Sequence, residues 1–145
     1  MDSLITPEAV AMIGMETSRS TTVVERKESQ RWAAAVGDLN PLYFDEDYAR
    51  GQGHRGILVP PLFLWQVSSG VTHLDTLAVD GIAHRPGGPD IPLNAPRRMW
   101  GGTEVEYFAP AYVGDEITAV SRIANIEQKS GRQGPFVLIV SEIDY

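Results

Sequence analysis

The segment Gly37-Asp38-Leu39-Asn40-Pro41-Leu42-Tyr43 sets a carboxylate, a side-chain amide and a phenol close together in the chain. Those types suit general acid–base work, in which one group takes a proton from water while another delivers one. The phenol narrows the chemistry, because with an ordinary pKa of about 10 it is a poor base near pH 7. Read by themselves, the same residues also make a turn. Asp38 after Gly37 can accept backbone N–H groups, and Asn40-Pro41 is a common turn dipeptide. Phe44 reads as a core aromatic, and Tyr43 as either core or site.

Other chemistries have less to stand on. There is no cysteine, hence no thiolate nucleophile, thiolate metal site or disulfide framework, which fits a reducing compartment. His54, His73 and His84 lack the i, i+4 spacing and the nearby acid pair of a metal site, so no metal is expected. Arg97 and Arg98 precede a strand candidate and suit a phosphate group, with solvated or ion-paired arginines as the plainer reading. Phe63 and Trp65 sit at helical positions and read as core first, with a role in shaping a tunnel left open.

The chain around these residues has 145 residues, 43% of them hydrophobic and 21% charged, which is the composition of one globular domain with a real core. Twelve basic against 19 acidic side chains give a net charge of -7, which argues against a broad nucleic-acid or anionic-lipid footprint. The N-terminal MDSLITPEAV has no basic and apolar leader, and no uncharged run approaches the roughly 20 residues a bilayer needs. A soluble, cytoplasmic protein is expected.

Local signals predict the elements. Thr6-Pro7-Glu8 starts a helix, with Thr6 as N-cap and Gly14 as its stop. Ser20 to Glu25 suits a short strand, and Lys27 to Val36 a helix whose apolar stripe is Trp32, Ala33 and Val36, ended by Gly37. Asp45 caps a short helix through Tyr48 and Ala49. Ile57 to Gly70, ILVPPLFLWQVSSG, is uncharged from Pro60 onward, so it predicts a buried helix starting at Pro60 or Pro61, where the missing N–H groups cost least. Gly81 to Pro96 is too rich in Gly and Pro for regular structure. Residues 101 to 109, 116 to 128 and 135 to 145 are three strand candidates of an antiparallel meander, and the whole reads as α+β.

Three runs in this order, AAAVGDLNPLYFDEDYA, GILVPPLF and PRRMWGGTEVEYFAPAYVGDEI, resemble the MaoC-like hydratase and dehydratase family, and within it the N-terminal, FAS1-like dehydratase branch. The resemblance covers most of the chain from about Val23. It implies a single hotdog domain over 1–145, an antiparallel sheet wrapped around a central apolar helix, with one further strand in the family's sheet after the one placed at 135 to 145. It also implies syn addition of water across an α,β-unsaturated acyl thioester to give an (R)-3-hydroxyacyl thioester, or the reverse, with coenzyme A or an acyl carrier as the thioester arm and no other cofactor.

In catalytic members the loop reads G-D-x-N-P-apolar-H, and its Asp and His hold the water. Here Asp38 and Asn40 match, whereas Tyr43 stands at the histidine position. Catalytic members also carry a His-Gly pair at the start of the central helix, whose glycine N–H binds the thioester oxygen. Alignment through the apolar residues sets Pro60 and Pro61 on that pair, and proline has no N–H to donate.

The two departures imply a partner subunit. This chain would bind the acyl-thioester substrate through Asn40, Pro60, Pro61, Phe63, Trp65, Arg97 and Arg98, the two arginines at the phosphates of the thioester arm, while a sister MaoC-like hotdog supplies the catalytic histidine, in a dimer or a dimer of dimers. Asp38 and Tyr43 acting as a degenerate catalytic pair, a non-enzymatic acyl-thioester binding module, and a thioesterase are the alternatives. The last is the most distant, because thioesterases of this fold use an acid on or near the central helix and Gln66 is the only candidate polar group there.

Overall fold

The computed structural model describes residues 3–69, 73–77, 79, 81, 90–95 and 99–145. Arg97, Arg98, His84 and the end of the expected apolar helix at Gly70 lie outside the described residues. The chain is α+β, as the sequence predicts, with one three-stranded antiparallel sheet in the order β1-β2-β3, where β1 is Glu16–Val23, β2 Glu116–Gly131 and β3 Gly134–Asp144. Four α-helices are described: α1 Pro7–Ala11, α2 Arg26–Ala35, α3 Glu46–Gly51 and α4 Leu64–Ser68. By its contacts the chain forms two compact units, one of Met1–Arg19, Thr72–Glu104 and Ala119–Asp144, the other of Ser20–Val71 and Val105–Thr118 with Tyr145.

In the first unit α1 begins as its capping signal requires. The Thr6 hydroxyl accepts from the Ala9 N–H at 3.1 Å and donates to the Pro92 carbonyl at 2.8 Å. That second bond ties down part of the Gly/Pro-rich segment, and Ile91 and Leu93 pack with Ala9, Ile123 and Ile126 in the core of this unit. Strand β2 has an irregularity between Ile123 and Asn125, where Ala124 is left without a partner on β3. Before it the buried positions are Ala119 and Ile123; after it the buried position is Ile126. An extra residue inverts the two-residue alternation, so the bulge lets one strand keep its apolar side chains on one face through the bend. The β2–β3 hairpin closes at Gly131 and Gly134, the latter at a φ of 122° that favours glycine.

The second unit holds α2, α3, α4 and the turns between them. Here α2 falls within a residue of the expected helix. Its end is a Schellman arrangement: Gly37 takes φ 77°, its N–H meets the Ala34 carbonyl at 3.2 Å, and the Asp38 N–H meets the Ala33 carbonyl at 2.9 Å. The Asp45 carboxylate accepts from the Tyr48 N–H at 2.9 Å to start α3.

Three expectations need correction. The apolar helix does not start at Pro60 or Pro61. Two consecutive residues without N–H, followed by Leu62 at φ 64°, break the ladder, and α4 begins at Leu64. Pro60 and Phe63 are buried, but Leu62 is 50% exposed and Trp65 40%, so the segment is not buried on every face. Residues 101 to 109 form no strand. They begin at Gly101 and Gly102 and are exposed, and regular pairing in this region is limited to an isolated bridge between Leu58 and Tyr112. Finally, β1 starts at Glu16 rather than Ser20. Its polar first half has Thr17 as its single strand-favouring residue and is held by β2, as the Thr17 hydroxyl bonded to the Ser121 carbonyl at 3.2 Å illustrates.

Candidate functional site

The Schellman end of α2 delivers Asp38 to a fixed place, and the next residues build on it. One Asp38 carboxylate oxygen accepts from the Asn40 N–H at 3.2 Å, and the Asn40 side-chain oxygen accepts from the Leu42 N–H at 3.1 Å, capping a 3-10 turn over Pro41–Tyr43. The turn reading of these residues therefore holds. The turn is clamped from outside by Gln30, whose amide donates to the Tyr43 carbonyl at 3.1 Å, and by the Leu58 N–H on the Leu42 carbonyl at 3.1 Å.

Tyr43 points inward, with 7% of its surface exposed. Its hydroxyl has no hydrogen-bond partner among the described residues. Burial pushes its pKa above the usual tyrosine value, and the negative charge of Asp38 and the proximity of Tyr107 push it further. The phenol is thus neutral at pH 7 and less able to act as a base than a free tyrosine. The stability consequence has a definite sign. With the folded-state pKa raised, the group's contribution is complete below the unfolded value of about 10 and is lost as pH rises through the folded value. Urea denaturation at neutral pH and at about pH 11 should show an alkaline loss of stability that Tyr43→Phe reduces.

Tyr107 received no role from the sequence, although it lies in one of the three recognised runs. Its hydroxyl accepts from the Leu62 N–H at 3.1 Å. It therefore joins the turn after Pro60-Pro61 and acts electrostatically on Tyr43. The amides next to the two prolines are engaged within the protein, Leu62 with Tyr107 and Phe63 with the Pro60 carbonyl at 3.2 Å. Phe63 meets Trp32 edge to face, with centroids 6.3 Å apart and planes at 75°. This pair forms part of the unit's interior, whereas Pro61 and Trp65 are exposed.

Of the expected site residues the structure thus gathers Asp38, Asn40 and Tyr43 in one turn, and Pro60, Pro61 and Phe63 in another linked to Tyr43 through Tyr107. Trp65 lies one helical step beyond. Among the described residues no cluster of His, Asp and Glu could hold a metal ion, and His54 instead meets the Tyr112 hydroxyl at 3.4 Å. No described helix is long and apolar enough to cross a membrane.

Comparison with known proteins agrees with this architecture. The description "FAS1-like, dehydratase domain region" matches residues 11–145. A UPF0336 protein of Streptomyces griseus is 30% identical over 108 residues, 74% of this chain and 65% of the relative. The mesaconyl-C(4)-CoA hydratase of Chloroflexus aurantiacus is 35% identical over 81 residues, 56% of this chain but 29% of that enzyme. The chain spans 65% of the length of the UPF0336 relatives from Streptomyces that it matches. Among solved structures, a chain from the ChsH1-ChsH2 complex of Mycobacterium tuberculosis superposes with a TM-score of 0.54 at 16% identity, covering 90% of this chain and 95% of that one, which places the fold with the hotdogs. With a helix end that presents Asp38 to a capped turn, and with the match running from residue 11 to the last residue, the chain belongs to the FAS1-like dehydratase domain family.

Proposed function

We propose that this chain is the acyl-binding subunit of a heteromeric (R)-specific enoyl-thioester hydratase or 3-hydroxyacyl-thioester dehydratase, and that a sister hotdog carries the catalytic histidine. The observation that carries the reading is Tyr43, a buried phenol whose pKa is pushed up beside Asp38 at the position where the family's catalytic loop has histidine. Such a group neither takes a proton from water at neutral pH nor readily gives one. The turn after Pro60-Pro61 adds to this, because the Leu62 amide is occupied by Tyr107 and not offered to a thioester carbonyl.

Exposed apolar side chains support a partner. Leu39, Leu62 and Phe108 are 68%, 50% and 88% exposed within the same unit, surface that a sister subunit would cover. Assembly as a dimer or a dimer of dimers, with acyl-CoA or an acyl-carrier thioester as substrate, belongs to the same reading, as does action in the cytoplasm. Asn40, Pro60, Pro61, Phe63, Trp65, Arg97 and Arg98 would contact the substrate, and the hotdog would be a single domain over 1–145.

The test is assay of the purified chain on crotonyl-CoA and a longer enoyl-CoA, alone and co-expressed with a sister hotdog bearing G-D-x-N-P-x-H. Hydration only by the co-expressed pair is expected. Turnover by the isolated chain that Tyr43→Phe abolishes would show instead that Asp38 and Tyr43 are catalytic. Thioester binding without hydration by either preparation would make the chain a binding module.

A further inference from the structure

A concavity lies in the unit that holds α2 and α3, lined by Arg26 at the start of α2, Glu46 and Arg50 of α3, Arg55, Ile57 and Tyr112, with a volume of about 200 Å³. It is smaller than the roughly 300–1,000 Å³ of pockets that enclose a whole drug-sized ligand. Its size and chemistry suit one anionic group. Three guanidiniums converge there on a chain whose net charge is -7.

The three arginines differ in what holds them. Arg50 donates to Glu46 at 2.8 Å. Arg55 is paired with Asp115 and lies over the Tyr112 ring, 4.0 Å from its centroid, while Asp115 also accepts from the Tyr112 N–H at 3.0 Å. Both are thereby fixed in direction. Arg26 makes no close ion pair among the described residues, attracts the Glu46 carboxylate only from a distance, and has as its one hydrogen bond a long contact of 3.4 Å to the Phe44 carbonyl. Three cations against two carboxylates leave one positive charge over, and it sits on the arginine with unused donors.

We infer that this cavity binds a phosphate group of the substrate's coenzyme arm, with Arg26 as the principal ligand and the braced Arg50 and Arg55 completing a cationic rim. Guanidinium offers a planar fork of donors that fits phosphate oxygens. Phe44 follows Tyr43 directly, so the Arg26 contact to the Phe44 carbonyl joins the cavity to the Asp38–Tyr43 turn through the backbone. The inference rests on the thioester reading above and deepens it, assigning the phosphate to residues other than Arg97 and Arg98.

The experiment is calorimetric titration of the 145-residue chain with adenosine 3′,5′-bisphosphate, the phosphorylated end of coenzyme A, and separately with inorganic phosphate and with crotonyl-pantetheine, which lacks phosphates. Arg26→Glu should weaken the bisphosphate by about tenfold or more, the size of a lost charge-assisted contact. An acid in the first turn of α2 suits the helix dipole, so this variant should melt like the wild type. Glu46→Gln removes a competing carboxylate and should tighten binding, a gain that misfolding cannot produce. Equal affinity of wild type and Arg26→Glu for the bisphosphate overturns the site, as does inorganic phosphate binding as tightly as the bisphosphate. If crotonyl-pantetheine binds and the bisphosphate does not, the site fails while the thioester reading stands. If the bisphosphate binds through Arg26 and no thioester is recognised, the site stands without that reading.

Discussion

If the proposed division of labour holds, removing the loop histidine of a sister subunit should lower turnover of crotonyl-CoA by the co-expressed pair about 10²- to 10⁴-fold, the usual share of a positioned acid–base group. The matching changes in this chain should do far less. Asp38→Ala and Tyr43→Phe should each lower kcat by under about tenfold, less than roughly 1.4 kcal/mol of barrier. The asymmetry follows from the site. Asp38 spends one oxygen on the Asn40 N–H, and Tyr43 is held neutral by burial, so neither is poised to move a proton at pH 7. Steady-state rates of the co-purified variants, with subunit ratios checked by gel densitometry, decide it. A loss on Tyr43→Phe comparable to that of the sister histidine would assign the chemistry to this chain.

Ile123→Ala should destabilise the fold by about 3 kcal/mol, within the roughly 2–5 kcal/mol range for removing most of a buried aliphatic side chain. Ile123 is 2% exposed, packs in the cluster with Ala9, Ile91 and Ile126, and stands immediately before the β2 bulge. The cavity left there cannot collapse easily, because both the bulge and the Gly14 N–H, bonded to the Ile123 carbonyl at 2.8 Å, fix the backbone. Val140→Ala on β3, at a position 42% exposed, should cost no more than about 0.5 kcal/mol. Urea unfolding of the two variants side by side checks the contrast, and equal midpoints would refute the account of this core. Against a typical total of about 5–15 kcal/mol, the first loss is large.

What could be read in advance was whatever is written locally. Thr6 and Asp45 as caps, Gly37 as a helix end and the glycine-bounded hairpin depend on neighbours within a few residues, and each is found. The strand expected at 101 to 109 is absent because turn signals on either side of a run mark its ends, whereas a strand also needs another strand beside it. Uniform apolarity after Pro60 misled in a different way. It speaks of burial, but the paired prolines and Leu62 at φ 64° determine where a helix can begin. At the site, Asp38, Asn40 and Tyr43 were legible because they share one turn. Tyr107 was not, since its bond to Leu62 joins positions 45 apart in the chain. The arginine-lined cavity was hidden for the same reason, its walls coming from four separate stretches.

The clamp on the Asp38–Tyr43 turn has an evolutionary meaning. Every bond that shapes it runs through Gly37, the Asp38 carboxylate, the Asn40 amide, the Gln30 side chain or the main chain, and none uses the Tyr43 hydroxyl. The backbone therefore forms a socket into which side chains of different chemistry can be fitted without refolding what surrounds it. After gene duplication, one copy of such a domain can exchange the side chain in that socket while keeping its shape, so that copies of one fold can diverge in chemistry before they diverge in structure.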